Sequence, residues 1–185
     1  FWHKVLFDLG HVSTLEPFGR LYNQGYIQAY YYEDARKVRV PAVEVIDQDG
    51  RPAMEVQDES DRRFTYNGEP VQRRYGKMGK SLKNAIAPDE ICEQYGCDTL
   101  RLYEMYLGPL NQSKIWNTRD IIGVHRFLQR LWRNFVDEET GELLLSDGEP
   151  DEMLNRAMHK TTKRVTDAME SMSFNVGIAA LIEFN

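Results

Sequence analysis

The sequence predicts an α+β fold: the edge of an α/β domain, then a small antiparallel β insert, then an α-helical bundle. Three observations predict it. Apolar residues recur at helical spacing at the start of the chain, short alternating stretches separated by glycine turns fill residues 29–75, and long amphipathic stretches follow residue 113. With 185 residues, 42% of them hydrophobic, the chain is long enough to bury a core.

Residues 1–28 are predicted to form the edge of the α/β domain. The stretch "FWHKVLFDLG" has the apolar spacing of a helix, and Gly25 in "LYNQGYIQAY" precedes the alternation of a strand. The chain begins at Phe1, and its last letters, "GIAALIEFN", fall inside a predicted helix. We therefore expect both ends to be cut from a larger protein.

Residues 29–75 are predicted to be a small antiparallel β module. The stretch "VRVPAVEVIDQDGRPAMEV" alternates valines and carries the hairpin signal Asp49-Gly50, and "RFTYNGEPVQ" repeats the arrangement around Asn67-Gly68. Such short strands and polar turns are typical of an insert that packs lightly on its host.

Residues 76–112 are predicted to hold a basic loop followed by two helices. Pro88 suits the first position of a helix and Gly96 the residue that follows its end. Asp98 is predicted to cap the second helix, which should stop before Gly108-Pro109.

Residues 113–185 are predicted to be helical apart from one acidic connection. Three amphipathic stretches, the last capped by Asn175, would form most of a bundle. Residues 137–152 hold eight acidic side chains and no Lys or Arg, and are predicted to be the connecting loop.

Composition argues against several classes of protein. No apolar run approaches the length of a membrane span, so we expect no membrane association. Cys92 and Cys97 are too few for a disulfide framework and lack zinc spacing, which favours buried thiols and a cytoplasmic location. The net charge of −6 argues against a general nucleic-acid binder, yet seven Lys or Arg and one acid lie between Arg62 and Lys83.

The basic loop "YGKMGKSLKN" ends in the Gly-Lys-Ser of a nucleotidase P-loop, but the rest of that motif is missing. Its first glycine would stand where this chain has Arg74, and the preceding residues are basic where a buried strand is required. A P-loop nucleotidase is therefore excluded, and the loop needs another explanation.

The order of motifs along the chain resembles class I aminoacyl-tRNA synthetases, and most closely the bacterial leucyl-tRNA synthetases. Residues 77–81 match the KMSKS signature of that class at four of five positions. "LYNQGYI" resembles the strand that enters the insert, and "FNVGIAALIEF" resembles a segment of the bundle. The positions that match the stretch after the signature are Asn84, Ile86, Pro88, Tyr95, Gly96, Asp98, Thr99 and Arg101.

The resemblance implies a reaction and a role for the loop. Leucine and ATP with Mg²⁺ would form leucyl-adenylate and pyrophosphate, and the leucyl group would pass to tRNA(Leu). By position in the motif, Lys80 would act on the phosphates, Lys77 would support it, and Ser81 would donate a hydrogen bond or fix the loop. Met78 and Gly79 complete the implied ATP-binding set, with Met78 packing the loop down.

The chain also departs from the family in ways that limit what it does alone. Gly79 replaces the usual serine, so either that hydroxyl is dispensable or the closed loop is less stable. The H-x-G-H element and the large editing insertion are absent from the sequence. We expect this chain to be inactive without the N-terminal catalytic and editing parts, to hold no metal site, and to work within a monomeric full-length enzyme.

The resemblance divides the chain and suggests where tRNA binds. Residues 1–28 would end a Rossmann-type catalytic domain, residues 29–75 would be the leucine-specific insert, residues 76–112 the loop and stem-contact helices, and residues 113–185 part of the anticodon-binding bundle. Side chains that suit phosphate contact are basic residues of the insert and of one helix face: Arg73, Arg74, Arg126, Arg130 and Arg133.

Two alternatives remain open. A sister synthetase for isoleucine, valine or methionine would share the loop and the bundle, although the insert and "FNVGIAALIEF" favour leucine. A non-catalytic tRNA-binding paralogue would keep the fold, but it would have no reason to retain Lys77, Lys80 and Ser81.

Overall fold

The computed structural model describes residues 1–56 and 61–185, and within them the chain has the predicted α+β class. Helices and short strands follow one another along the chain without a repeated unit. Their order is α1 Trp2–Asp8, β1 Ile27–Glu33, β2 Arg39–Val40, β3 Ile46–Asp47, β4 Phe64–Tyr66, β5 Glu69–Lys77, α2 Pro88–Tyr95, α3 Cys97–Tyr106, β6 Lys114–Ile115, α4 Ile121–Phe135, α5 Glu152–Glu170 and α6 Phe174–Phe184.

One sheet forms the centre of the first two thirds of the chain. Its strand order is β2-β1-β5-β4-β3, with every neighbour antiparallel, and β6 adds to β1 in parallel. The longest pairing joins β1 to β5 from Gln28 opposite Lys77 to Glu33 opposite Gln72. Because β1 runs through residue 28, the sheet is continuous across the boundary that the sequence places there.

The strand β6 corrects the prediction that the chain is helical from residue 113. The Lys114 N–H donates to the carbonyl of Tyr26 at 2.9 Å, and the Trp116 N–H donates to that of Gln28 at 2.8 Å. Pairing with a distant strand thus satisfies the backbone here, and a two-residue strand leaves no periodic signal in the sequence.

The two predicted hairpins differ in outcome. Asn67 (φ 50°) and Gly68 (φ 82°) form the tight turn between β4 and β5, as predicted. The Asp49-Gly50 turn closes only an isolated bridge between Ile46 and Pro52. The second strand stops there because residues 53–55 coil into a short 3₁₀ helix.

The predicted helix ends are right for α2 and wrong by two residues for the caps of α3 and α6. Pro88 begins α2, and Gly96 follows it with φ 86°. Gly96 also precedes α3 directly, so Asp98 lies in the first turn and caps nothing. Likewise, α6 begins at Phe174 after Ser173, which places Asn175 inside the helix.

Two apolar cores lie beside the sheet. The insert core surrounds Tyr32, whose hydroxyl donates to the carbonyl of Ala53 at 3.3 Å and whose pKa burial raises to about 12. The helix core surrounds Tyr103, which meets Trp116 edge to face at 5.1 Å. The insert core consists of Tyr32, Val40, Ala42, Val45, Ala53, Val56 and Phe64, and the helix core of Ile91, Leu100, Tyr103, Trp116, Ile121 and Val124.

Helix α6 packs on α3, and α5 packs on α6. Helix α5 lies against α6 where Ala168 meets Gly177, and a Cβ at residue 177 would stand 3.3 Å from that of Ala168. A largely apolar groove of about 680 Å³ separates α3 and α4 from α5 and α6. No helix of the described ranges is both long and apolar enough to cross a membrane.

Candidate phosphate-binding loop

Residues 77–81, the signature loop, begin at the last residue of β5 and are held close to β1. The Met78 N–H donates to the carbonyl of Ile27 at 2.9 Å, which continues the β1–β5 ladder by one more bond. The chain then coils into one 3₁₀ turn over residues 80–82, which ends with Lys83 at φ 52°. The loop is therefore an extension of the sheet followed by a tight turn.

Asn84 fixes this turn from the inside. Its side chain is fully buried; Oδ1 accepts from the Gly79 N–H at 2.9 Å, while Nδ2 donates to the carbonyl of Ala29 at 3.2 Å and approaches that of Lys77 at 3.5 Å. A buried amide with these partners connects both ends of the loop to β1. Sequence analysis included Asn84 only as a match to the family, because a burial that depends on β1 leaves no local signal.

The insert supports the other side of the turn. Arg39 donates from its guanidinium to the carbonyl of Ser81 at 3.0 Å, and the Ala42 N–H donates to that of Lys83 at 2.9 Å. Arg39 belongs to β2, and Ala42 lies just after that strand. The conformation of the loop thus depends on the insert as well as on the strand that leads into it.

The side chains of the loop divide into buried and exposed sets. Met78 is half-buried and packs against the helix core. Lys80 and Ser81 are exposed, and neither side chain has an ion pair or hydrogen bond within the described ranges. Lys77 is exposed as well, and its Nζ lies 4.4 Å from the centroid of the Tyr26 ring. Two ammonium groups are therefore presented to solvent on a fixed backbone, an arrangement that suits an anion.

Gly79 does not adopt a backbone conformation that is restricted to glycine. Its φ of 172° is extended backbone, which any residue adopts, and a Cβ added there would meet nothing within 4 Å. Gly76 is more constrained, since its Cβ would stand 2.9 Å from Leu82 and 3.3 Å from the Tyr31 ring. The usual serine would therefore fit at residue 79 without strain.

Arg73 and Arg74 of β5 both contact other side chains of the protein. The Arg73 guanidinium lies over the rings of Tyr30 and Phe64, at 4.3 and 4.8 Å from their centroids. Arg74 pairs with Glu33 across the β1–β5 ladder at 2.8 Å, with its side chain 48% exposed. Arg74 keeps more surface for a phosphate than Arg73 does, and contact of either with tRNA stays a prediction.

Arg126, Arg130 and Arg133 lie on α4 and are exposed. Arg126 also borders a polar crevice of about 610 Å³, together with Arg51 of the insert and Arg119 of the short 3₁₀ helix over residues 118–120 that precedes α4. Sequence analysis overlooked Arg119, because it lies before α4 and outside the helical period of the stripe.

Metal-binding side chains do not converge near the loop. Across residues 1–56 and 61–185, no three His, Cys, Asp or Glu side chains are arranged to hold a metal ion. The loop therefore offers positive charge and a hydroxyl, and we assign no metal ligand to it.

No protein-family model matches the chain. Over its whole length it is 57% identical to the leucine–tRNA ligase of Saccharopolyspora erythraea and 55% identical to that of Streptomyces avermitilis. It is 53% identical over 184 residues to that of Corynebacterium glutamicum strain R, and it spans 18% of each of these three proteins.

The fold is shared with a solved structure. The LeuRS of Agrobacterium radiobacter K84, crystallised as a ternary complex with tRNA and LeuAMS, covers 98% of this chain with a TM-score of 0.55. The matched part is 20% of that protein, and the sequence identity is 22%.

Proposed function

Because the chain belongs to the leucine–tRNA ligase family over the segment that it spans, we propose that the whole protein activates leucine with ATP and transfers the leucyl group to tRNA(Leu). The observation that carries the proposal is the signature loop itself. Lys77 and Lys80 stand on a backbone that Asn84 and Arg39 hold in place, with both ammonium groups exposed. This segment would supply the phosphate-binding loop and surfaces that contact tRNA.

The chemistry of activation explains why two lysines are needed. When the leucine carboxylate attacks the α-phosphorus of ATP, the bond to pyrophosphate breaks and negative charge builds up on the leaving group. Lys80, and Lys77 beside it, would stabilise that charge more strongly in the transition state than in the bound substrate, which accelerates the step. Ser81 would donate a hydrogen bond to the same phosphates or hold the turn.

The remaining functions of the enzyme would belong to the parts of the whole protein that lie outside this segment. They would bind leucine and adenosine, carry out editing, and hold the Mg²⁺ that accompanies ATP. Residues 1–28 would end the Rossmann-type domain, and the helices from α4 to α6 would belong to the anticodon-binding bundle. We propose a monomeric cytoplasmic enzyme whose arginine stripe on α4, residues 126, 130 and 133, contacts the phosphates of tRNA.

Sister synthetases are less well supported as an alternative. The relatives named above, at 53–57% identity over the whole segment, are all leucine–tRNA ligases. A non-catalytic paralogue is also disfavoured, because the exposed lysines are held on an ordered loop and have no described structural ion pair to explain them.

Amino-acid-dependent ATP–pyrophosphate exchange by the complete protein tests the proposal. We expect exchange with leucine and not with isoleucine, valine or methionine. Exchange with one of the other three amino acids would support the mechanism but contradict leucine as the substrate. No exchange with any of them would overturn the proposed activity.

A further inference from the structure

We infer that Tyr26 is a positioning residue for Lys77. The Tyr26 ring holds the Lys77 ammonium group beside the signature loop before ATP binds. This inference rests on the proposed function, since it assigns a step of that reaction to a residue outside the loop. The observation behind it is the distance of 4.4 Å between Lys77 Nζ and the Tyr26 ring centroid, which lies within the range of a cation–π contact.

The ring is mounted on rigid backbone. The Tyr26 N–H donates to Ser113 Oγ at 3.2 Å, and its carbonyl accepts from the Lys114 N–H at 2.9 Å. Its neighbour Gly25 lies so close to Gln112 that an added Cβ would stand 2.1 Å from that carbonyl group. Tyr26 therefore cannot drift away from the start of β1, and its ring is a fixed surface.

The register of the sheet brings the ring and the ammonium together. Gln28 lies directly opposite Lys77 in the β1–β5 pair, so Tyr26, two residues earlier, is the diagonal neighbour on the same face. Long side chains reach across such a diagonal. The contact is consequently built into the strand pairing, whatever position the remainder of the loop adopts.

The character of the contact lets Lys77 bind an anion without leaving the ring. Tyr26 is 57% exposed and Lys77 is exposed, so the contact is weak and lacks the directional demand of a hydrogen bond. Within the described ranges, Lys77 makes no ion pair that would compete with phosphate. The ring limits the conformations of a flexible lysine and covers one side of its ammonium, whose other N–H groups can donate to an anionic partner.

The expected effect falls on the chemical step. A lysine whose conformations are already restricted loses less freedom when it engages the charge that develops on pyrophosphate. Since that engagement strengthens in the transition state, removal of the ring should lower kcat and leave the KM for ATP nearly unchanged. A contact of this kind at an exposed site corresponds to a factor of about two to five in rate.

The test uses leucine-dependent ATP–pyrophosphate exchange by the complete protein carrying Tyr26→Leu, Tyr26→Phe or Lys77→Met, and the double variant Tyr26→Leu with Lys77→Met. We expect Tyr26→Leu to lower kcat by about two- to fivefold. Tyr26→Phe keeps the ring and should retain the wild-type rate. In the Lys77→Met background the leucine substitution should have no further effect, because the ring then has no ammonium to hold.

Each contrary outcome has a distinct meaning. If Tyr26→Leu exchanges as fast as wild type, or loses the same factor when Lys77 is already methionine, the positioning role is wrong. If Tyr26→Phe loses as much as Tyr26→Leu, the hydroxyl matters and the ring does not, which also overturns the inference. Absence of leucine-dependent exchange in the wild-type protein would instead overturn the proposed function.

Discussion

At the scale of single residues, the loop depends on one buried amide. Asn84 accepts from the Gly79 N–H and donates to the carbonyl of Ala29, and so connects the loop to β1. Asparagine side chains are mostly exposed in folded proteins, so composition gives no reason to expect this one to be buried. Its actual position follows from β1, whose sequence lies 55 residues earlier, so only the folded chain reveals it.

Asn84→Ala should loosen the loop. Loss of the amide removes the side-chain acceptor of the part-buried Gly79 N–H, which costs about 1–3 kcal/mol. We expect amide hydrogen exchange of residues 77–84 to become at least about fivefold faster, since local opening reports that cost directly. Asn155→Ala, at an exposed position of α5, is the matched control and should leave that exchange unchanged. Unchanged protection in Asn84→Ala would contradict the assignment.

Gly79→Ser should be tolerated. The backbone is extended and the space around the position is open, so the serine that is usual in the family adds no strain. We expect leucine-dependent exchange by this variant to stay within about twofold of wild type, the scale of a neutral surface change. A larger loss would mean that the loop passes through a conformation only glycine adopts, and a larger gain would show that the hydroxyl contributes to activation.

At the scale of elements, the insert is stabilised by a buried carboxylate as well as by its apolar core. Asp47 accepts from the Asp49 and Arg51 N–H groups, each at 2.9 Å, and pairs with the Arg62 guanidinium at 2.6 Å. Burial raises the pKa of Asp47, but the N–H groups of Arg51 and Asp49 and the Arg51 charge outweigh it and bring the pKa below 3.8. This cluster organises the turn at Gly50, which a hairpin signal alone did not describe.

The stability of the insert should therefore depend on acid. A carboxyl whose folded pKa is lowered contributes stability above its unfolded pKa and loses it as pH falls through the folded value. We expect residues 45–53 to exchange amide hydrogens faster in Asp47→Asn than in wild type at pH 7. The two proteins should converge as pH falls below 3.8, the ordinary pKa of this group. The two proteins are compared at the same pH, so the pH dependence of intrinsic amide exchange cancels. A difference in exchange rate between them that persists in acid would contradict the prediction.

The sequence predicted correctly those elements that are specified by residues close to them in the chain. The Asn67-Gly68 hairpin and the start of α2 at Pro88 are specified by residues within a few positions, and both are confirmed. Strand β6 forms only because Tyr26 and Gln28 are available to pair with it, and its sequence carries no strand pattern. The caps of α3 and α6 shifted because the preceding connections are shorter than the predicted ones.

At the scale of the whole molecule, an acidic chain presents a basic loop. The net charge is −6, yet Lys77, Lys80 and Lys83 fall within seven residues of the sequence. The sheet joins this loop to the insert through Arg39 and to the start of the helical region through β6. The division into four parts stays a prediction, and β1 and β6 connect those parts structurally. Charge pattern and motif were readable from sequence, whereas these connections required the fold.

The measurement that tests the central claim most directly is single-turnover formation of leucyl-adenylate by the complete protein carrying Lys80→Ala. Loss of a preorganised charged contact typically costs a factor of about 10²–10³ in rate, and we expect a loss of that size. Lys83→Ala is the matched control, because that exposed lysine lies outside the signature and only its backbone contacts the insert. A loss confined to Lys80→Ala is the predicted result. Near-wild-type adenylate formation by Lys80→Ala, or an equal loss in both variants, would contradict the role assigned to the loop.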